Sequence, residues 1–230
     1  MSKPKALMLI GSPRGERSNS YTIGKFLAGK LEGQGFATEE AFVIKSMNTA
    51  SGIEDLLALT DEADIIIFAT PLYIDSLPSY TIKAMEQIHA HRIDKPAKKN
   101  QLLVAIVNSG FPEPSHNNIA LNIIRNFAQE SGLRWGGGVR IGMGEAIGGK
   151  PISEKGMTRK LAKGLSSGAI SLSKGQPMSQ QDEELASQPF LPPILAKLMM
   201  ISFINRSWNQ LAKRNNANRK MRDRPYEMPS

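Results

Sequence analysis

Three short, largely apolar runs restrict what this chain can fold into more than any other feature. They span Ala6 to Ile10, Asp64 to Ala69 and Leu102 to Val107. Each run is continuous rather than alternating, which is typical of strands buried on both faces in a parallel sheet covered by helices. Weaker strands are predicted at Thr38 to Ile44 and Val139 to Met143, which brings the sheet to five strands.

Segments with helical spacing separate these strands. The clearest one repeats through Ile23, Leu27 and Leu31 and stops at Gly33, as helices commonly do. Similar spacing follows the third and fourth strands, and a last helix is predicted from Ser153 to Leu172. Strands that alternate with helices predict an α/β fold, in which a doubly wound parallel sheet is connected by right-handed crossovers.

The composition changes after this α/β region. We predict a domain over residues 1–174, a linker over 175–193 that is rich in Ser, Gln, Pro and acidic residues, and a basic helical extension over 194–230. From Leu195 to Arg224 the chain carries eight Lys or Arg residues and a single acid, Asp223. Nearly all of the net charge of +8 therefore belongs to the extension.

The extension also has an apolar side. A helix is predicted from Ile194 to Met221, and one of its faces carries Leu198, Ile201, Ile204, Trp208 and Leu211. Burying such a face contributes on the order of 10 kcal/mol before the entropy cost, so we expect it to be covered. A lid or homodimer element is the favoured interpretation, contact with a membrane surface comes second, and contact with nucleic acid is the least favoured.

Several function classes are excluded by what the sequence lacks. The chain has no cysteine, and therefore no disulfide, thiolate zinc site, cysteine-ligated cluster or cysteine nucleophile. His89 and His91 lie two residues apart and would point away from each other on a helix, so no metal site is predicted. The first apolar run is too short for a signal peptide or a membrane span, which predicts a cytoplasmic protein.

Ligands of open α/β sheets bind beyond the carboxyl ends of the strands, and three such ends are distinctive here. The sequence GSPRGERSNS, residues 11–20, places hydroxyl, amide and guanidinium groups at the start of a helix, which suits a phosphate dianion. The sequence ATPLYIDSLPS, residues 69–79, places an aromatic residue among apolar ones on a path stiffened by prolines. This second loop suits a flat hydrophobic ligand.

The third end, NSGFPEPSHNN, begins at Asn108, which offers both a donor and an acceptor, while Gly110 permits close approach of the backbone. Two familiar phosphate motifs, Gly-x-Gly-x-x-Gly after the first strand and Gly-x-x-x-x-Gly-Lys-Ser/Thr, are absent. The glycine-rich stretch 142–149 has the wrong spacing for a dinucleotide fingerprint, and we interpret it as a flexible rim loop. No Ser/His/Asp set or carboxylate pair stands out, so no catalytic side chain is predicted.

Together the three loops resemble the NAD(P)H-dependent FMN reductase and quinone reductase branch of the flavodoxin-like flavoproteins, over about residues 4–172. The resemblance implies a sheet of order 2-1-3-4-5, bound FMN, and NADPH or NADH as the hydride donor for a small-molecule acceptor such as a quinone. It implies that the FMN phosphate is held by Ser12, Arg14, Ser18, Asn19 and Ser20. The ring would lie against Pro71, Leu72, Tyr73 and Ile74, with its polar edge near Asn108, Ser109 and Gly110.

Two alternatives stay open at this point. The first is a flavodoxin-type electron carrier without nicotinamide activity, although the basic charge and the extra segment argue against it. The second is a binding module that uses its basic helix on a membrane surface or on nucleic acid.

Overall fold

The five predicted strands form one parallel sheet in a computed structural model, which describes residues 3–98, 100–217 and 223. The strands run in the order β2-β1-β3-β4-β5, which confirms both the predicted α/β fold and the predicted order. Every residue of the third and fourth strands is buried, as continuous apolar runs require. The strands are β1 (Lys5–Ile10), β2 (Ala37–Phe42), β3 (Ile65–Pro71), β4 (Leu102–Asn108) and β5 (Arg134–Ile141).

Helices cover both faces of the sheet and divide the core into two layers. Side chains that alternate along the strands, such as Met8 and Leu9, enter opposite layers. The first layer is closed by α1 (Asn19–Glu32) and α6 (Arg159–Ser173). The second layer is closed by α2 (Val43–Ser46), α3 (Ala50–Glu62), α4 (Ser79–Asp94) and α5 (Asn118–Glu130).

Strand β5 begins five residues earlier than predicted and ends at Ile141 rather than Met143. Its middle contains three consecutive glycines, which carry no side-chain pattern and are uncommon in strands. The structure shows what these glycines do. A Cβ on Gly138 would lie 2.7 Å from the side chain of Leu121, and one on Gly136 would lie 3.2 Å from Leu172, so the helices pack directly on the strand.

The predicted linker 175–193 differs from the structure, because it contains a helix, α7 (Gln180–Ala186), that packs on α6 and β5. The Glu183 carboxylate accepts the N–H of Gly138 at 3.0 Å, and the Ser187 hydroxyl accepts the N–H of Arg140 at 3.0 Å. These bonds cover polar backbone groups on the free edge of β5. The first compact unit therefore runs to Phe190, beyond the predicted boundary at residue 174.

Close packing of α7 gives a prediction for Gly164→Ala in α6. In an open helix this change stabilises by about 1 kcal/mol, but here the new Cβ would lie 2.5 Å from the Asp182 carbonyl oxygen. We expect α7 to be displaced from α6, and the free energy of unfolding to fall by about 1–3 kcal/mol. Limited proteolysis should then cut residues 174–190 faster. Gly29→Ala is the control, because a Cβ there meets no atom within 4 Å.

The second compact unit, Leu191–Ser230, contains α8 (Pro193–Arg214). Of the predicted apolar face, Leu198, Ile201, Trp208 and Leu211 are exposed, and the side chain of Ile204 lies outside the described residues. The predicted extension also includes residues 218–222 and 224–230, which lie outside the described residues as well. No helix in the described part of the chain combines the length and the apolar character needed to cross a membrane.

Candidate functional site

The three distinctive loops begin on the same side of the molecule, because the carboxyl ends of parallel strands lie next to each other. Backbone hydrogen bonds continue past the strand ends and fix the start of each loop. Gly11 donates its N–H to the Ala69 carbonyl oxygen at 2.9 Å, and Leu72 donates to that of Asn108 at 2.8 Å. The loops after β1, β3 and β4 are therefore neighbours, as the predicted site requires.

The loop after β1 presents free backbone donors at the start of α1. Ser18 caps this helix, because its hydroxyl oxygen accepts the Tyr21 N–H at 3.1 Å. The backbone N–H groups of Ser12, Asn19 and Ser20 have no acceptor among the described residues. Unpaired amides at the start of a fourteen-residue helix form a site for an anion, since the helix dipole adds to their attraction.

The side chains of two predicted phosphate ligands are already occupied. The Ser20 hydroxyl donates to Asn108 Oδ1 at 2.6 Å, and both residues are buried. Asn19 Oδ1 accepts the Gly149 N–H at 3.3 Å. These bonds tie the loop after β1 to the loops after β4 and β5, and they leave the backbone N–H groups of Asn19 and Ser20 for a ligand.

Arg14 also has a partner across the site. Its guanidinium lies 3.0 Å from the Glu145 carboxylate, and both side chains are exposed. Exposed ion pairs contribute only about 0–1 kcal/mol. Arg14 can therefore exchange Glu145 for a phosphate group at little cost.

The loop after β3 is a tight hairpin that exposes Ile74 and Asp75 at its tip. Tyr73 and Ser76 exchange two backbone hydrogen bonds around Ile74 and Asp75, which both adopt left-handed conformations, with φ of 47° and 58°. This mirror-image turn normally uses Asn or Gly, and a β-branched residue there is strained. Pro71 and Leu72 are buried, whereas Tyr73 is half exposed and Ile74 is almost fully exposed.

The loop after β5, predicted to be a flexible rim, instead packs against the loop after β4. Met143 donates its N–H to the Phe111 carbonyl oxygen at 2.7 Å, and Gly144 donates to that of Ser109 at 2.7 Å. A Cβ on Gly142 would lie 2.3 Å from the Pro112 carbonyl oxygen, so only glycine permits this approach. The loop is thus a wall of the site, a role that its irregular glycine spacing did not indicate.

Asn117, which the sequence reasoning missed, fastens the same two segments. It is fully buried, and its Nδ2 donates to the Ser109 hydroxyl oxygen at 3.3 Å and to the Ile141 carbonyl oxygen at 3.2 Å. Asn117 Oδ1 has no hydrogen-bond partner among the described residues. A buried Asn that bonds two strand ends is a positioning residue, and nothing in its sequence context distinguishes it from an ordinary helix start.

These features fit one kind of ligand. The amides of Ser12, Asn19 and Ser20 suit an anionic group, while the Tyr73 and Ile74 hairpin offers an apolar surface. Between them lies Asn108, whose Nδ2 donates to no described residue. FMN consists of a flat ring joined to a phosphate, so it matches both these donors and the apolar surface. The described residues contain no group of three metal-binding side chains that converge on one point.

Comparison with known proteins supports this assignment at two levels. A family model described as NADPH-dependent FMN reductase matches residues 4–115, a range that contains every predicted site residue. This match confirms the resemblance, together with the predicted enzyme class and its cofactors, FMN with NADPH or NADH. No curated protein sequence matches the chain.

Solved structures show the fold. A flavodoxin from Streptococcus pneumoniae TIGR4 has a TM-score of 0.50 at 18% identity, covering 74% of this chain and 98% of its own. An FMN-dependent NADH-azoreductase from Bacillus anthracis, in complex with FMN, has a TM-score of 0.53 at 12% identity, covering 74% and 99%. A flavodiiron core from Synechocystis has a TM-score of 0.53 at 16% identity over 75% of this chain, which spans only 36% of that protein.

Proposed function

We propose that this chain, whose residues 4–115 match the NADPH-dependent FMN reductase family, is an FMN-dependent oxidoreductase that passes a hydride from NADPH or NADH to a small acceptor. FMN, when bound, supplies the ring that accepts and releases the hydride. One observation carries the proposal: the free amides of Ser12, Asn19 and Ser20 share a sheet edge with the exposed hairpin of Tyr73 and Ile74.

Each part of the site then has a binding role. The three amides and the Arg14 guanidinium hold the phosphate, and the Ser18 hydroxyl keeps the start of α1 in place. Tyr73 and Ile74 lie against the ring and exclude water from one side. Asn108 Nδ2 and the backbone of Ser109 and Gly110 form hydrogen bonds with the polar edge of the ring. None of these side chains has to act as a general acid or base.

The identity of the acceptor belongs to the proposal as well. An exposed aromatic and an exposed aliphatic side chain at the hairpin tip favour a flat, hydrophobic electrophile, and a quinone is such a molecule. A homodimer and a cytoplasmic location stay predictions. Sedimentation velocity of the purified chain tests the first of them directly.

The experiment that tests the function is an absorbance titration. We expect the purified chain to bind FMN and to show the visible bands of oxidised flavin, and we expect anaerobic NADPH or NADH to bleach them. A chain that binds FMN and is bleached by dithionite, but by neither nicotinamide, would be an electron carrier of the flavodoxin type. A chain that stays colourless during FMN titration would refute the flavin assignment.

Arg14→Ala should weaken FMN binding by about 10- to 100-fold, because a charge-assisted hydrogen bond to phosphate is lost. Riboflavin, which has no phosphate, should bind the variant and the wild type equally. Isothermal titration calorimetry measures both affinities. Arg17→Ala is the matched control, since Arg17 lies in the same loop, is exposed and donates no side-chain hydrogen bond to any described residue. Equal losses in the two variants would contradict the assigned role of Arg14.

A further inference from the structure

Helix α8 carries an unusual amount of exposed apolar surface. Seven of its described large apolar side chains are between 47% and 78% exposed. Water-exposed apolar surface on this scale marks a contact site. The seven residues are Ile194, Leu195, Leu198, Met199, Ile201, Trp208 and Leu211.

In the second half of α8 the apolar and basic residues occupy different sides. At about 100° per residue, Leu198, Ile201, Trp208 and Leu211 fall within an arc of about 140°. Arg206, Lys213 and Arg214 lie about 130–150° from the centre of that arc, and all three are exposed. The first three turns are apolar on the other side as well, through Leu195 and Met199. The helix is therefore amphipathic in its second half, while its first half is mostly apolar apart from Lys197.

The charge around this helix has one sign. Residues 185–222 contain seven Lys or Arg and no Asp or Glu. A second copy of the same segment would bring seven more positive charges to the contact, so its charge opposes self-association. Nucleic acid would satisfy the charge but would leave the apolar arc in water. An anionic lipid bilayer satisfies both, because its headgroups attract the basic side and its acyl boundary takes up the apolar side.

We propose that α8 docks this protein on an anionic lipid surface, lying in the plane of the interface. The arc of Leu198, Ile201, Trp208 and Leu211 enters the acyl boundary, where an indole is favoured. Arg206, Lys213 and Arg214 remain at the level of the phosphates. This docking does not depend on the bound cofactor or on the reductase activity.

Vesicle co-sedimentation of the full chain tests the docking. We expect the chain to sediment with phosphatidylcholine vesicles that contain phosphatidylglycerol and to stay in the supernatant with phosphatidylcholine alone. The triple variant R206Q/K213Q/R214Q should bind about a hundredfold more weakly, since each basic residue near an anionic surface contributes about fivefold. The matched control K83Q/K155Q/K163Q removes three exposed charges from the first unit and should bind like the wild type.

Fluorescence reports whether the apolar arc enters the lipid. In a Trp135→Phe background, Trp208 is the sole tryptophan, and its emission should shift to the blue with anionic vesicles and be quenched by brominated lipid. Ile201→Glu, at an exposed position, should abolish both signals without unfolding the chain. Wild-type protein that stays in the supernatant with anionic vesicles overturns the proposal. Sedimentation velocity would then show whether α8 joins two copies of the chain, and an RNA-binding assay would show whether it contacts nucleic acid. Equal binding by wild type and the triple variant overturns the proposal too.

Discussion

Gly142→Ala is expected to weaken FMN binding by about a hundredfold while the sheet stays folded. The new Cβ would lie 2.3 Å from the Pro112 carbonyl oxygen and 2.9 Å from that of Phe111, and backbone atoms cannot give way by a side-chain rotation. The two loops must separate, which breaks the hydrogen bonds from Met143 to Phe111 and from Gly144 to Ser109. The predicted polar edge of the ring site loses its support.

Two measurements separate this effect from unfolding. Circular dichroism should show wild-type secondary structure, and a flavin fluorescence titration should show the weakened binding. Gly29→Ala again serves as the control, because its Cβ lies in open space on the exposed side of α1. Gly142→Ala protein that binds FMN within threefold of the wild type would show that the packing of the loop after β5 does not support the site.

The fold was predictable because the signal for a central parallel strand is local. The runs that became β1, β3 and β4 are continuous, apolar and short, and no other element explains all three properties. The edge strand β5 was predicted too short. Its three glycines give no hydrophobic pattern, and the reason for them is visible only in the close packing of α5 and α6 on the strand. The helix α7 was missed for a related reason: its hydrogen bonds go to the edge of β5, which is distant in sequence.

The candidate site divides in the same way. The loops after β1, β3 and β4 were located from sequence, because a parallel sheet brings its strand ends together. What holds those loops was not predictable. The bond from Ser20 to Asn108 spans 88 positions, and that from Gly149 to Asn19 spans 130. Such partners depend on the register of the sheet and on loop conformations, such as the strained turn at Ile74, that no local pattern specifies.

Asp61→Asn is expected to lower the free energy of unfolding by about 3–5 kcal/mol, because it leaves a buried cation without its counter-ion. Asp61 Oδ1 lies 2.7 Å from the guanidinium of Arg92, whose side chain is 3% exposed. His91 and Lys95 contact the same carboxylate. Arg92 also donates to the Thr60 carbonyl oxygen at 3.0 Å, so the network joins the end of α3 to α4.

The pH dependence of this loss has a definite sign. Burial by itself raises the pKa of Asp61, but hydrogen bonds from Lys95 and His91 and the charge of Arg92 outweigh it and hold the pKa below the ordinary value of an aspartate. A lowered carboxyl pKa stabilises the fold above the unfolded pKa, and that stability is lost as pH falls through the folded pKa. The Tm difference between wild type and Asp61→Asn should therefore be largest near neutral pH, roughly 6–20 °C, and shrink below about pH 4.

Thermal unfolding at several pH values measures this difference, with Glu62→Gln as the control because Glu62 is adjacent and its side chain is exposed. The network lies beside the first residues of β3 and β4. This is the amino end of the parallel strands, whereas the proposed flavin site lies at their carboxyl ends. Folded Asp61→Asn protein should therefore bind FMN with wild-type affinity, the reverse of the effect at Gly142. An Asp61→Asn variant with an unchanged Tm would mean that the Thr60 carbonyl and Gln101 alone compensate the buried Arg92 charge.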